Sequence, residues 1–186
     1  MSFLSNPKQA TSEMVRGVVR ERYFPELWYV VENWLALAKS KKVLEVGCGL
    51  GYFSSALVKS GYNVTCVDPS LKALIRVQKH LAETGHQGRF EQFEPENVNL
   101  ESESFDSIVS INMLEFSESG PRMLDEIHRL LRPGGKAIIA TVNGRSMWSL
   151  AMFAYALRDD DKPRPIHSVS KGEFLHALAR SRLKTE

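Results

Sequence analysis

In the stretch VLEVGCGLGYFS, Val43 to Ser54, glycine falls at every second position between an apolar run and an amphipathic one. That arrangement leaves the chain few choices. KKVLEVG reads as a short buried strand, and YFSSALVKSG reads as a helix closed by Gly61. Gly47, Gly49 and Gly51 sit where the strand feeds the helix. Glycine there lets the backbone turn tightly and lets a ligand approach without meeting a Cβ.

The same alternation continues. NVTCVD is a second strand, and SLKALIRVQKHLAETG a helix with Ser70 as N-cap. Its apolar face is expected to hold Leu71, Leu74, Ile75, Gln78 and Leu81. GRFEQF is a third strand of weak apolar content, and FDSIVSI a fourth. PRMLDEIHRLL forms a helix with Met123, Leu124, Ile127, Leu130 and Leu131 inward; RPGG turns the chain into a fifth strand, KAIIATV. Ahead of all this, residues 8–38 fit two helices split at Pro25. Strands alternating with helices demand right-handed crossovers, hence a parallel sheet covered on both faces. The fold class is α/β, with ligands expected at the carboxyl ends of the strands.

A chain of 186 residues suits one domain. No apolar run approaches the ~20 residues of a membrane span, and MSFLSNPKQA lacks a signal-peptide core, so a cytoplasmic protein away from membranes is expected. A net charge of +2 does not call for a nucleic-acid partner. Cys48 and Cys66 have neither metal-type spacing nor a disulfide framework, so the expectation is reduced thiols and no metal.

What the glycine loop holds is narrowed by its spacing. A dinucleotide site wants G-x-G-x-x-G, which would place a glycine at position 52, where this chain has Tyr52. A phosphate-cradling loop would need a following Gly-Lys-Ser/Thr, and none is there. Asp68 ends the second strand, where a carboxylate can accept hydrogen bonds from both hydroxyls of a ribose. Ribose alone does not separate one nucleotide cofactor from another.

Further motifs do. VLEVGCGLGYFS, VTCVDPS, EPENVNLESESFDSIVSINMLEF and IHRLLRPGGKAIIATVN together resemble, in order and spacing, the class I S-adenosylmethionine-dependent methyltransferases acting on small molecules. The resemblance covers roughly residues 40–143. It implies a Rossmann-like doubly wound sheet, here of about five parallel strands, the family's usual last two being absent. It divides the chain into a helical cap (1–39), a cofactor-binding core (40–143) and a helical substrate-side or edge-covering segment (144–186). The cofactor implied is S-adenosyl-L-methionine, leaving as S-adenosyl-L-homocysteine. Carried over by position, Glu45 orients the methionine ammonium, and Gly47, Cys48, Gly49 and Gly51 pass along methionine and ribose. Asp68 takes the ribose hydroxyls, with Pro69 near the adenine. Glu94 accepts the adenine amino group, and Asn112 borders the methyl-transfer channel. Pro95 departs from the family, because a backbone N–H commonly meets the adenine ring at that position and proline has none.

The activity implied is methyl transfer to a small-molecule acceptor at O, C or N; the alternative is a cofactor-binding scaffold or partner subunit without turnover. A nicotinamide-dependent oxidoreductase is the remaining reading. A general base is needed only for a protonated acceptor, and none declares itself. His167, Glu115 and Tyr23 are the candidates, with Tyr29 another lid tyrosine and His128 a solvated one. SINMLEF lacks the Asn/Asp-Pro-Pro-aromatic box of enzymes acting on amide or exocyclic amino nitrogens. The apolar stretch 147–157 is placed to roof a substrate pocket or to form a dimer surface. Strand five should be a sheet edge, and a homodimer through that edge or through 147–157 is a further expectation.

Overall fold

The computed structural model of the protein describes residue 21 and residues 23–93, 98–117, 119–146 and 169–184. Its strands are β1 (Lys42–Val46), β2 (Asn63–Asp68), β3 (Arg89–Gln92), β4 (Phe105–Ile111) and β5 (Leu131–Ala140). They form one sheet, parallel throughout, in the spatial order β3-β2-β1-β4-β5. The chain starts in the middle of the sheet, winds outward one way, then returns to wind the other way from β4. That change of direction opens a crevice at the carboxyl ends of β1 and β4.

Helices α1 (Phe24–Leu37), α2 (Tyr52–Lys59), α3 (Leu71–Glu83), α4 (Gly120–Leu130) and α5 (Lys171–Arg180) cover the sheet, and a short 3-10 turn, Leu114–Phe116, follows β4. Successive strand residues serve opposite layers. Val43, Val64, Cys66 and Val109 pack with Val31 and Leu35 of α1, Leu57 of α2 and Leu74, Val77 and Leu81 of α3. Leu44, Val46 and Ile108 pack with Met123, Leu124, Ile127 and Leu130 of α4 and Ala177 of α5. The near-continuous burial of β1, β2 and β4 is what a parallel sheet covered on both faces requires.

Three expectations need correction. On α3 the buried stripe is Ala73, Leu74, Val77 and Leu81, while Leu71 and Ile75 are more than half exposed. Packing against β2 and β3 selects that face; the apolar pattern alone allowed a neighbouring one. RPGG does turn the chain, with Gly134 at positive φ after Pro133, but it does so as a bulge inside β5 and not ahead of it. Phe105 faces Leu131 and Ser107 faces Lys136, so Arg132, Pro133, Gly134 and Gly135 stand opposite Asp106 alone. Gly134 takes φ +78, and a Cβ at Gly135 would press on the Asp106 carbonyl at 3.0 Å, so the bulge needs both glycines. Finally, Tyr29 is 70% exposed on α1 and is no part of the core.

Pro25 sits in the first turn of α1, where its missing N–H costs nothing; the helix expected before it lies outside the described residues, as does the 147–157 stretch. β5 pairs with β4, and among the described residues no strand covers its other edge. Lys136 of β5 places its ammonium 5.1 Å from the Trp34 ring centre of α1.

Candidate active site

The glycine loop is built from both ends. Gly47, in the left-handed region at φ +87, donates its N–H to the Val67 carbonyl at 2.7 Å, so the chain leaves β1 still tied to β2. A Cβ at Gly47 would overlap Met113 Sδ and Cγ, which press on the loop from the end of β4. Gly51, at φ +82, is the N-cap of α2; it donates to the Cys48 carbonyl at 2.7 Å, and a Cβ there would meet Val77 at 3.0 Å. Gly49 is different. It is exposed, at φ +47, and nothing lies within 4 Å of where its Cβ would be. Two glycines make the turn, and the third leaves open space above it.

Asp68, buried at the end of β2, faces that space. One carboxylate oxygen accepts from the Gly49 N–H at 2.9 Å and lies 3.7 Å from Cys48 Sγ; the other accepts from the Ser70 N–H at 2.8 Å. The carboxylate therefore fixes both the loop and the start of α3. Pro69, half-buried, follows it, and its carbonyl accepts from Gln92 Nε2 at 2.9 Å, binding this corner to β3.

Glu45 lies beneath, on β1. Its Oε2 accepts from Ser54 Oγ of α2 at 2.5 Å and from Cys66 Sγ of β2 at 3.5 Å. Burial pushes its carboxyl up to about 7; the Ser54 and Cys66 hydrogen bonds oppose the shift, and the nearby Asp68 charge adds a smaller push. Burial, reinforced by these carboxylates, also drives the Cys48 and Cys66 thiols far above their usual range, so both stay protonated and unreactive.

The other wall is the end of β4. Asn112 adopts φ +55, uncommon for a residue with a side chain, and is held there by its N–H bond to the Ala140 carbonyl at 2.7 Å. Its Oδ1 accepts from the Tyr23 hydroxyl at 3.2 Å, a contact spanning 89 positions of sequence. Burial raises the Tyr23 phenol, the Asn112 hydrogen bond opposes this, and the Glu115 charge adds to it. The neighbouring Phe24 reaches the opposite wall, with its ring 5.6 Å from Tyr52 and 5.1 Å from Phe53 at the head of α2. The start of α1 thus bridges the crevice. Glu115, in the 3-10 turn, accepts through Oε1 from Thr141 Oγ1 at 2.6 Å and from the Val142 N–H at 3.2 Å, just past β5.

The structure thus brings Glu45, Gly47, Cys48, Gly49, Gly51, Asp68, Pro69 and Asn112 to one end of the sheet, with Tyr23 and Glu115 beside them. Glu94, Pro95 and His167 lie outside the described residues. His128 is exposed on α4, away from this crevice. Sequence reasoning missed Ser54 and Cys66, the partners of Glu45, and Met113, the residue that demands glycine at 47. Nothing in their local sequence marks them, because each acts on a residue of a different element. Among the described residues no cluster could hold a metal ion, and no helix is long and apolar enough to cross a membrane.

Comparison with known proteins agrees with this geometry. Residues 44–139 match the methyltransferase-domain family. The ubiquinone biosynthesis O-methyltransferase of Pseudomonas syringae pv. tomato is 34% identical over 115 residues, covering 60% of this chain and 50% of that protein. The chain spans about half the length of the curated relatives it matches. Among solved structures, the YcgJ protein of Bacillus subtilis superposes with a TM-score of 0.66 at 20% identity, covering 84% of this chain and 68% of that one. An S-adenosylmethionine-dependent methyltransferase of Clostridium acetobutylicum gives 0.59 at 16% identity, covering 70% of this chain and 55% of that one. At such identities the two structures speak for the fold, while the match over residues 44–139 takes in more than half of the sequence. The chain belongs to the methyltransferase-domain family.

Proposed function

We propose that this chain binds S-adenosyl-L-methionine across its glycine loop and directs methyl transfer to a hydroxyl of a small-molecule acceptor. The observation that carries the reading is Gly49: exposed, left-handed, with open space over it, and hydrogen-bonded to the buried carboxylate of Asp68. A nucleoside laid over that loop meets backbone, not side chains, and finds a carboxylate for its ribose hydroxyls. The O-methyltransferase relative supports a hydroxyl as the accepting group.

In this reading Gly47, Cys48, Gly49 and Gly51 shape the bed through their backbone, and Asp68 holds the ribose, with Pro69 beside the adenine. Glu94 and Pro95 belong to the adenine side. Glu45, held only partly ionised near neutral pH by its burial, becomes fully charged when an ammonium comes close, and Asn112 borders the methionine end. When bound, the cofactor supplies an electrophilic methyl group on a sulfonium. The residues' work is alignment, which can contribute up to about 7–11 kcal/mol to such a displacement.

Calorimetry with S-adenosylhomocysteine is the test, followed by incubation with labelled S-adenosylmethionine and catechol-type acceptors. Failure to bind S-adenosylhomocysteine would refute the cofactor assignment. Binding without methylation of any acceptor would favour the non-catalytic scaffold.

A further inference from the structure

Glu115 carries an unused hydrogen-bonding atom. Its Oε1 is held by Thr141 and Val142, so the side chain is fixed in place. Its Oε2 is shielded from solvent and, among the described residues, has no hydrogen-bond partner. A buried carboxylate oxygen without a donor is costly to keep, and native proteins seldom keep one without reason. The group stands just past the carboxyl end of β4, one wall of the crevice between β1 and β4, and is tied to the end of β5. Its neighbours there are Tyr23, near enough to feel its charge, and Asn112, which orients Tyr23.

We infer that Glu115 is the acceptor-side catalytic residue: its free Oε2 binds the acceptor hydroxyl and takes the proton from it. This rests on the methyl-transfer reading above. The O–H bond breaks, its electron pair stays on the acceptor oxygen, and the proton passes to Oε2. That pair is then available to the methyl group of the sulfonium donor, and the proton leaves to solvent with the product. Oε1 keeps its two donors throughout, so the carboxylate need not reorganise as it gains a proton. The acceptor enters on the Tyr23 side, parting the Tyr23–Asn112 contact, which at 3.2 Å is long for a hydroxyl donor.

The test titrates catechol, as a bare phenolic probe, into protein saturated with S-adenosylhomocysteine, comparing wild type with Glu115→Gln. The variant keeps Oε1's role through the amide oxygen and replaces the accepting Oε2 with a donor. Catechol affinity should fall about tenfold or more, the cost of losing a charged hydrogen-bond acceptor, while S-adenosylhomocysteine affinity stays within about twofold. Equal catechol binding by both proteins would overturn the assignment. So would failure of the saturated wild type to bind catechol at all. Sarcosine bound in place of catechol, with the same dependence on Glu115, would overturn the hydroxyl in favour of an amine. Loss of S-adenosylhomocysteine binding by wild type would instead overturn the reading beneath, and this one with it.

Discussion

Glutamine at position 45 should remove a loss of stability that the wild type suffers as the solution turns alkaline. The Glu45 carboxyl is 3% exposed and meets only uncharged donors, Ser54 Oγ and Cys66 Sγ. Burial moves it from 4.5 to about 7. Between those values the folded chain retains a proton that the unfolded chain has released. Stability therefore falls as pH rises through that window, and above the folded value the whole penalty is present. The move from 4.5 to about 7 corresponds to about 3 kcal/mol in all, most of which falls between about pH 5 and pH 8. Against the 5–15 kcal/mol total of an ordinary domain, roughly, that is a large share. Urea unfolding at both pH values, on wild type and Glu45→Gln, reads the difference directly. Glutamine keeps an oxygen for Ser54 and cannot ionise, so the gap between the two proteins should shift by about 2–3 kcal/mol in the variant's favour. Parallel pH profiles would refute the reasoning, because they would mean that Glu45 is solvated or already paired with a cation.

The glycine loop predicts a contrast. Gly47→Ala must both hold a side chain at positive φ and displace Met113, so thermal unfolding should show a loss of about 2–4 kcal/mol. Gly49→Ala meets open space and should cost only about 1 kcal/mol, yet weaken S-adenosylhomocysteine binding about tenfold or more; unchanged affinity would remove the loop from the site. Asp68→Asn should cost about 1–2 kcal/mol, since an amide oxygen still serves the Gly49 or Ser70 N–H, while losing most of the cofactor affinity measured by calorimetry. Glu94→Ala should weaken that affinity less, and the reverse order would show the adenine side to be misassigned. We propose that the edge of β5, which no strand covers among the described residues, pairs with a second copy of the chain; a strictly monomeric species by light scattering, soluble at high concentration, would defeat this.

Much of this protein was legible in the sequence because its signals are local. The period of apolar residues changes from strand to helix within a few positions, and a glycine loop declares itself wherever a strand must turn at once into a helix. Ser70 marked the start of α3, Pro25 the first turn of α1, and FDSIVSI the whole of β4. Asp68 was legible too, because its place at a strand end follows from the strand itself. What the tertiary structure decided are the matters settled by packing between elements distant in sequence. α3 had two adjacent apolar stripes, and the sheet chose Val77 over Ile75. RPGG reads locally as a turn, but only pairing with β4 shows that the strand has begun before it, at Leu131. The sequence put Glu45 near a cofactor; only the fold shows that it is buried against Ser54 and Cys66, and burial is what sets its charge. Glu115 read as one of three candidate bases, with nothing in its neighbourhood to single it out. Its fixed Oε1 and free Oε2 depend on Thr141 and Val142, 26 and 27 positions away, brought to it because parallel strands end side by side.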